Sequence, residues 1–206
     1  SMKVIAWNCR GLGNGPTVGG LLDIQKVEDP DILFLSETKM DRRRIEGLRW
    51  SLGMTNLVVK DCEGKSGGLA IFWKKEINFQ LRAVSRLYLD GDVVEEDGFV
   101  WRFTGFYGEP RTERKEVSWR ALRALNAARR HPWLCMGDFN EILVGHEKEG
   151  GVARPQICMD RFREVLEECS LDDLGFAGDP FTWRITAIRM LIISVSVLIG
   201  RWLMLL

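Results

Sequence analysis

Four segments end an apolar run on residues that could do chemistry: Trp7-Asn8-Cys9-Arg10-Gly11, Leu35-Ser36-Glu37-Thr38-Lys39, Gly105-Phe106-Tyr107-Gly108 and Met136-Gly137-Asp138-Phe139-Asn140. Together they offer carboxylates (Glu37, Asp138), amides (Asn8, Asn140) and a phenol (Tyr107). Acids without a cysteine or histidine cluster suit a hard cation held by oxygen, such as Mg²⁺. A divalent ion beside amide donors suits stabilisation of phosphoryl oxygens. Taken singly, each segment also has a plainer reading. An acid after a strand is often a solvated strand end, Asn8 is a turn former, and Gly-Asp-Phe-Asn can be an Asx-type turn. In that last segment Gly137 lets the backbone turn where two polar side chains converge.

These segments need a scaffold that brings strand ends together, and the hydropathy pattern supplies one. Lys3–Cys9, Asp31–Ser36, Asn56–Lys60, Gly68–Trp73, Ile77–Val84, Phe99–Tyr107 and Trp133–Met136 read as strands. Thr17–Val27, Arg42–Ser51, Glu113–Arg130 and Met159–Cys169 read as helices, with Trp119, Leu122 and Leu125 at helical spacing. Leu171–Phe176 and Phe181–Arg184 look like strand pieces around a Gly-Asp-Pro turn. Strand–helix alternation at both ends, with β-runs between, predicts an α/β layered domain. In such sheets functional sites gather at strand ends and adjoining loops.

Composition bounds the function classes. The chain has 206 residues, 46% hydrophobic and 28% charged, values of an ordinary globular domain. Lys+Arg and Asp+Glu are both 29, so any nucleic-acid contact rests on a local basic patch rather than on net charge. Cys9, Cys62, Cys135, Cys158 and Cys169 show no Cys-x-x-Cys spacing, and His131 and His146 are the only histidines, which argues against zinc. An odd cysteine count without a signal peptide fits a reducing, intracellular setting.

Taken together in this order and spacing, the four segments resemble the endonuclease/exonuclease/phosphatase superfamily, which includes apurinic-site endonucleases and neutral sphingomyelinases, and WNCRGLGN, PDILFLSETK, SGGLAIFW, GFYGEP, PWLCMGDFNEIL and LDDLGFAGDPFTW carry a closer one. This narrower resemblance, from Lys3 to Arg184, is to the endonuclease domain of plant LINE (non-LTR) retrotransposons. It implies a four-layer α/β sandwich of two packed sheets flanked by helices, its C-terminal part incomplete here. It implies Mg²⁺-dependent nicking of DNA, with Mn²⁺ as a substitute, in an element whose next domain is a reverse transcriptase. Such an element acts in the nucleus.

The resemblance also assigns roles. Glu37 is the principal metal ligand, and Asn8 helps hold the metal site and orients Glu37. Tyr107 contacts the scissile phosphate, Asp138 positions or deprotonates the attacking water, and Asn140 binds a non-bridging oxygen. Thr182 and Trp183 occupy the place of a polar–aromatic pair near the DNA. Arg111 and Arg114 follow the Tyr107 loop and could meet phosphates, or form the solvated start of the next helix. Arg42–Arg44 is a basic run, read as a solvated helix start in preference to a DNA contact.

The pattern breaks after Arg184. The superfamily's Ser-Asp-His is absent, and neither His131 nor His146 follows an Asp. Residues 185–206 read ITAIRMLIISVSVLIGRWLMLL instead. Arg189 and Arg201 leave only residues 190–200 between them, short of the roughly 20 a membrane span needs, so no membrane partner is expected. A one-base deletion after the Arg184 codon, with suitable synonymous codons, restores a Glu-Arg-Leu-Asp-Arg stretch of the kind the resemblance requires. The expectation is a domain over residues 1–184 and an out-of-frame tail over 185–206, which would impair this copy and expose a sheet edge and apolar surface.

Overall fold

A computed structural model describes residues 2–128, 130–143, 153–174, 189–195 and 201–205. Strands β1 (Met2–Asn8), β2 (Ile32–Ser36), β3 (Asn56–Lys60), β4 (Leu69–Trp73) and β10 (Arg189–Val195) form one sheet in the order β10-β1-β2-β4-β3. Strands β5 (Asn78–Val84), β6 (Tyr88–Val94), β7 (Val100–Tyr107), β8 (Trp133–Asp138), β9 (Asp172–Asp173) and β11 (Arg201–Leu205) form the other, ordered β5-β6-β7-β8-β11-β9. Stretches of the expected tail thus run as strands beside β1 and β8.

Apolar side chains on alternate positions of each strand build the layers. Val4, Ala6 and Phe34 of the first sheet pack on Leu89, Phe103 and Met136 of the second, forming the central core. The neighbours in sequence, Ile5, Trp7 and Leu35, face outward against α1 (Gly15–Glu28), α2 (Arg42–Glu46) and α3 (Leu48–Leu52) through Leu21, Ile45 and Leu52. On the far side Phe106, Trp133 and Cys135 meet α4 (Lys115–Ala128) and α5 (Gln156–Glu168) through Trp119, Leu122 and Phe162. Each fully buried Leu, Ile or Phe contributes about 1.5–3 kcal/mol relative to exposure. The result is the expected four-layer sandwich: helices, sheet, sheet, helices.

Some elements differ from the sequence expectation. The single helix expected over Arg42–Ser51 is broken at Gly47, which caps α2 and opens α3. A 3₁₀ turn, Thr112–Arg114, precedes α4 and takes up the start of the helix expected from Glu113. Strand β6 was not expected at all. Of the expected strand pieces near the C-terminus, β9 covers only Asp172–Asp173, and Phe181–Arg184 lies outside the described residues. Among the described residues no helix is long and apolar enough to cross a membrane.

Candidate active site

The two sheets bring four parallel-strand carboxyl ends to one edge of the sandwich. β1 and β2 run parallel with Asn8 opposite Ser36, and β7 and β8 run parallel with Tyr107 opposite Asp138. Asn8 is the last residue of β1, and Glu37 follows β2 directly. The chain is bent sharply here: Glu37 has φ +51° and Asn140 φ +53°. Left-handed conformations at non-glycine residues cost about 1–3 kcal/mol and persist where surrounding structure holds them. For Glu37 that support is backbone lacing: Gly11 N–H donates to Glu37 O at 2.7 Å and Thr38 N–H to Gly68 O at 3.1 Å.

The Gly-Asp-Phe-Asn loop is fixed from behind. Phe139 stacks on Phe106 with centroids 4.8 Å apart and lies 5.8 Å from Phe162, so the ring anchors the loop in the outer layer. Gly137 has φ +145°, and a Cβ there would stand 2.0 Å from Phe106 O, so this position requires glycine. Asn140 N–H donates to Asp138 Oδ1 at 2.9 Å, and the Asn140 amide donates to Gly108 O at 2.7 Å, tying the β8 loop to the β7 loop.

The side chains converge on one amide. Asn8 Nδ2 donates to Glu37 Oε1 at 3.0 Å and to Asp138 Oδ2 at 2.8 Å. Tyr107 hydroxyl donates to the same Glu37 Oε1 at 2.9 Å. Asn8 Oδ1 accepts from Arg10 N–H at 3.1 Å, which leaves Asn8 as an orienter of both carboxylates. For Asn8 to serve as a metal ligand, that oxygen would have to leave Arg10. Lys39 Nζ lies 3.6 Å from Glu37 Oε2. Asp138 and Asn8 are only 2% and 4% exposed, so Asp138 sits in low dielectric, with Glu37 half-buried at the rim.

Burial, then the negative charges of Glu37 and Asp138, push the Tyr107 hydroxyl above its ordinary range, so at neutral pH it is a neutral donor. Burial likewise pushes the Cys9 thiol up to about 12, which removes it as a ligand. Glu37 and Asp138 form an all-oxygen donor pair, and among the described residues no group of three or more His, Cys, Asp or Glu converges. That set fits Mg²⁺, which keeps several waters and takes one or two carboxylates, and does not fit a closed zinc site.

Other expected residues lie farther out. Arg111 and Arg114 are exposed at the end of the Tyr107 loop, with Arg111 N–H on Glu109 Oε1 at 3.4 Å and Arg114 Nε 3.9 Å from Glu109 Oε2. Thr182, Trp183 and His146 lie outside the described residues. His131 is exposed before β8, at the end opposite Asp138. One residue the sequence did not single out joins the site. Lys115 is 6% exposed at the start of α4, and its ammonium donates to Asn140 O. Burial lowers its pKa to about 8. Behind it Arg154 forks onto Glu141 at 2.7 and 2.5 Å and reaches Thr112 Oγ1 at 2.9 Å.

Solved structures share this fold. The AP endonuclease LMAP from Leishmania major superimposes with a TM-score of 0.63 at 16% identity, over 82% of this chain and 66% of that one. The 3′ phosphatase NExo from Neisseria, bound to product DNA hairpin, gives 0.61 at 18% identity, over 82% and 71%. An AP endonuclease from Archaeoglobus fulgidus gives 0.59 at 15% identity, over 81% and 70%. The chain spans about two thirds of the length of the structures it matches. No curated protein matches it. The sequence profile of the Endonuclease/Exonuclease/phosphatase family, however, matches residues 5–190, a stretch that includes all four strand ends of the site. A two-sheet sandwich with that match places the chain in the Endonuclease/Exonuclease/phosphatase family.

Proposed function

We propose that the chain is the DNA-nicking endonuclease domain of a LINE-type retrotransposon, hydrolysing a phosphodiester with Mg²⁺ (or Mn²⁺) and leaving a 3′-hydroxyl for a reverse transcriptase domain of the same element. The observation that carries the reading is the single Asn8 amide bridging the carboxylates Glu37 and Asp138, with the Tyr107 hydroxyl on Glu37. Glu37 and Asp138 would hold the ion, which supplies positive charge to the phosphoryl oxygens when bound. Asn8 holds the two carboxylates in register. Asp138 takes the proton of the attacking water on a carboxylate oxygen. Tyr107, neutral at pH 7, would turn its hydroxyl from Glu37 Oε1 to the scissile phosphate, and solvent water protonates the departing 3′-oxygen. Asn140 offers the amide proton not engaged by Gly108 to a non-bridging oxygen. The plant-type segments GFYGEP and GDPFTW favour DNA over a lipid or phosphomonoester substrate, and a chromosome-nicking element works in the nucleus.

A second reading is a chain that keeps the fold but turns over slowly or not at all. It draws on the absence, among the described residues, of an imidazole beside Asp138. A general acid–base histidine is worth ~10²–10⁴ in rate. The test is parallel hydrolysis of supercoiled plasmid, a 3′-phosphorylated oligonucleotide and a phosphoinositide by the same preparation. Turnover of plasmid alone supports the nicking reading. Turnover of the phosphoinositide or the 3′-phosphate in preference to plasmid overturns it. No turnover by folded protein favours the second reading.

A further inference from the structure

The helices outside the first sheet carry a surface that hydrolysis itself does not use. Trp50, on α3, is 81% exposed, the most exposed large apolar side chain among the described residues. The Arg49 guanidinium lies 5.9 Å from the centre of its ring. On α2, Arg42, Arg43 and Arg44 are consecutive and exposed. Among the described residues Arg43 and Arg44 have no ion-pair partner. The flanking acids Asp41 and Asp61 accept backbone N–H groups instead, from Arg44 at 3.0 Å and Arg42 at 2.7 Å. By contrast Arg82 pairs with Asp92, Arg123 with Glu168 and Arg163 with Asp160. Positive charge also reaches back to the site. Lys39 stands 3.6 Å from Glu37, and Arg44 follows five residues later, within about 18 Å along even a fully extended chain.

A solvated helix start explains the arginines but leaves an indole in water without a role. A nucleic-acid strand accounts for both. Guanidinium groups on phosphates release counterions, and an indole stacks on any base whose face is free. In a duplex every base face is already stacked, so Trp50 selects an unpaired base, with Arg49 adding cation–π attraction. We propose that the α2–α3 arm is a binding surface for single-stranded DNA flanking the cleaved bond, with Arg43 and Arg44 on its phosphates and Trp50 stacked on a base. The proposal rests on the nuclease reading and names where the substrate continues.

The test is fluorescence anisotropy of the full chain with a labelled strand of about 20 nucleotides and with its blunt duplex, in EDTA so that hydrolysis does not intrude, over a range of salt. Arg43→Ala/Arg44→Ala should weaken single-strand binding about 10-fold at low salt and reduce its salt slope by about 1.4. Trp50→Ala should weaken the single strand about 5- to 50-fold and leave the duplex within about 2-fold. Arg120→Ala/Arg161→Ala, on the exposed faces of α4 and α5, should change neither. Quenching of wild-type emission by the strand, reduced in Trp50→Phe, gives a readout independent of the arginine variants. Wild-type affinity and slope in the arginine variant, or a Trp50→Ala effect equal on strand and duplex, would overturn the arm while leaving the nuclease reading in place. A wild-type chain that binds neither DNA would overturn both.

Discussion

Two buried polar clusters sit on neighbouring strands of this protein, and they are built on opposite plans. In one, Asp90 of β6 receives Arg102 Nε at 2.7 Å and Nη2 at 3.1 Å, and Thr104 hydroxyl at 2.6 Å. Arg102 closes the cluster by donating to Leu125 O on α4 and lying 4.7 Å above the Trp133 ring. Each charge there meets its opposite. In the other, at the carboxyl ends of β1, β2, β7 and β8, Glu37 and Asp138 share one neutral amide. Among the described residues the only ion pair is the looser one from Lys39, which is 40% exposed. The closed cluster holds the second sheet to α4. The open one keeps two acids close with negative charge to spare, an arrangement that disfavours the empty fold and favours a divalent cation.

The contrast predicts that the two clusters fail in different ways. The largest effect is on turnover: Asp138→Asn should lower nicking by about 10²–10⁴, yet change urea stability by no more than about 2 kcal/mol, because removing one of two crowded like charges offsets the acceptor lost to Asn8 or Asn140. A large loss of stability in that variant would mean the site is a second structural cluster. Next, Arg102→Met should cost about 3–5 kcal/mol in urea unfolding, since Asp90 is left charged and buried. A loss under 1 kcal/mol would show that the closed cluster is not what ties sheet to helix.

The chain showed the open cluster far better than the closed one. Asn8, Glu37, Tyr107 and Asp138 each stand where an apolar run stops, so local pattern alone marks them, and the layered α/β class follows from the same runs. Strand β6 was illegible because Asp90-Gly91-Asp92 breaks its apolar pattern. What makes those residues strand-compatible lies far away: Arg102, Arg82 and the Phe79 ring, from which a Cβ at Gly91 would be 2.4 Å. Lys115 was missed for a related reason. A lysine at a helix start reads as solvated, and only the fold of the 138–141 loop over it reveals the burial. The Gly47 break gave no signal either, since Ile45 and Leu48 keep helical spacing across it.

Two smaller effects sharpen the same comparison. Gly137→Ala should destabilise by about 1–3 kcal/mol, because the new methyl meets Phe106 O in a strained backbone, and it should disturb Asp138 as well. Lys115→Met gives a pH signature. Between about 8 and 10.5 the unfolded chain holds a proton on Lys115 that the folded chain has released. Wild-type stability should therefore rise relative to Lys115→Met as pH climbs through that window, with no such gain below pH 8. Parallel urea curves for the two proteins at pH 7, 9 and 10 read this directly, and a constant difference would show that Lys115 stays charged.

The central claim is that Glu37 and Asp138 form a metal-dependent nicking centre. Its most direct test is conversion of supercoiled plasmid to open circle by the folded chain, in Mg²⁺ and in EDTA, beside Glu37→Ala. The account predicts slow nicking in Mg²⁺ that EDTA abolishes and Glu37→Ala lacks. Nicking that survives EDTA or Glu37→Ala, or its absence from folded wild-type protein in Mg²⁺, would contradict it.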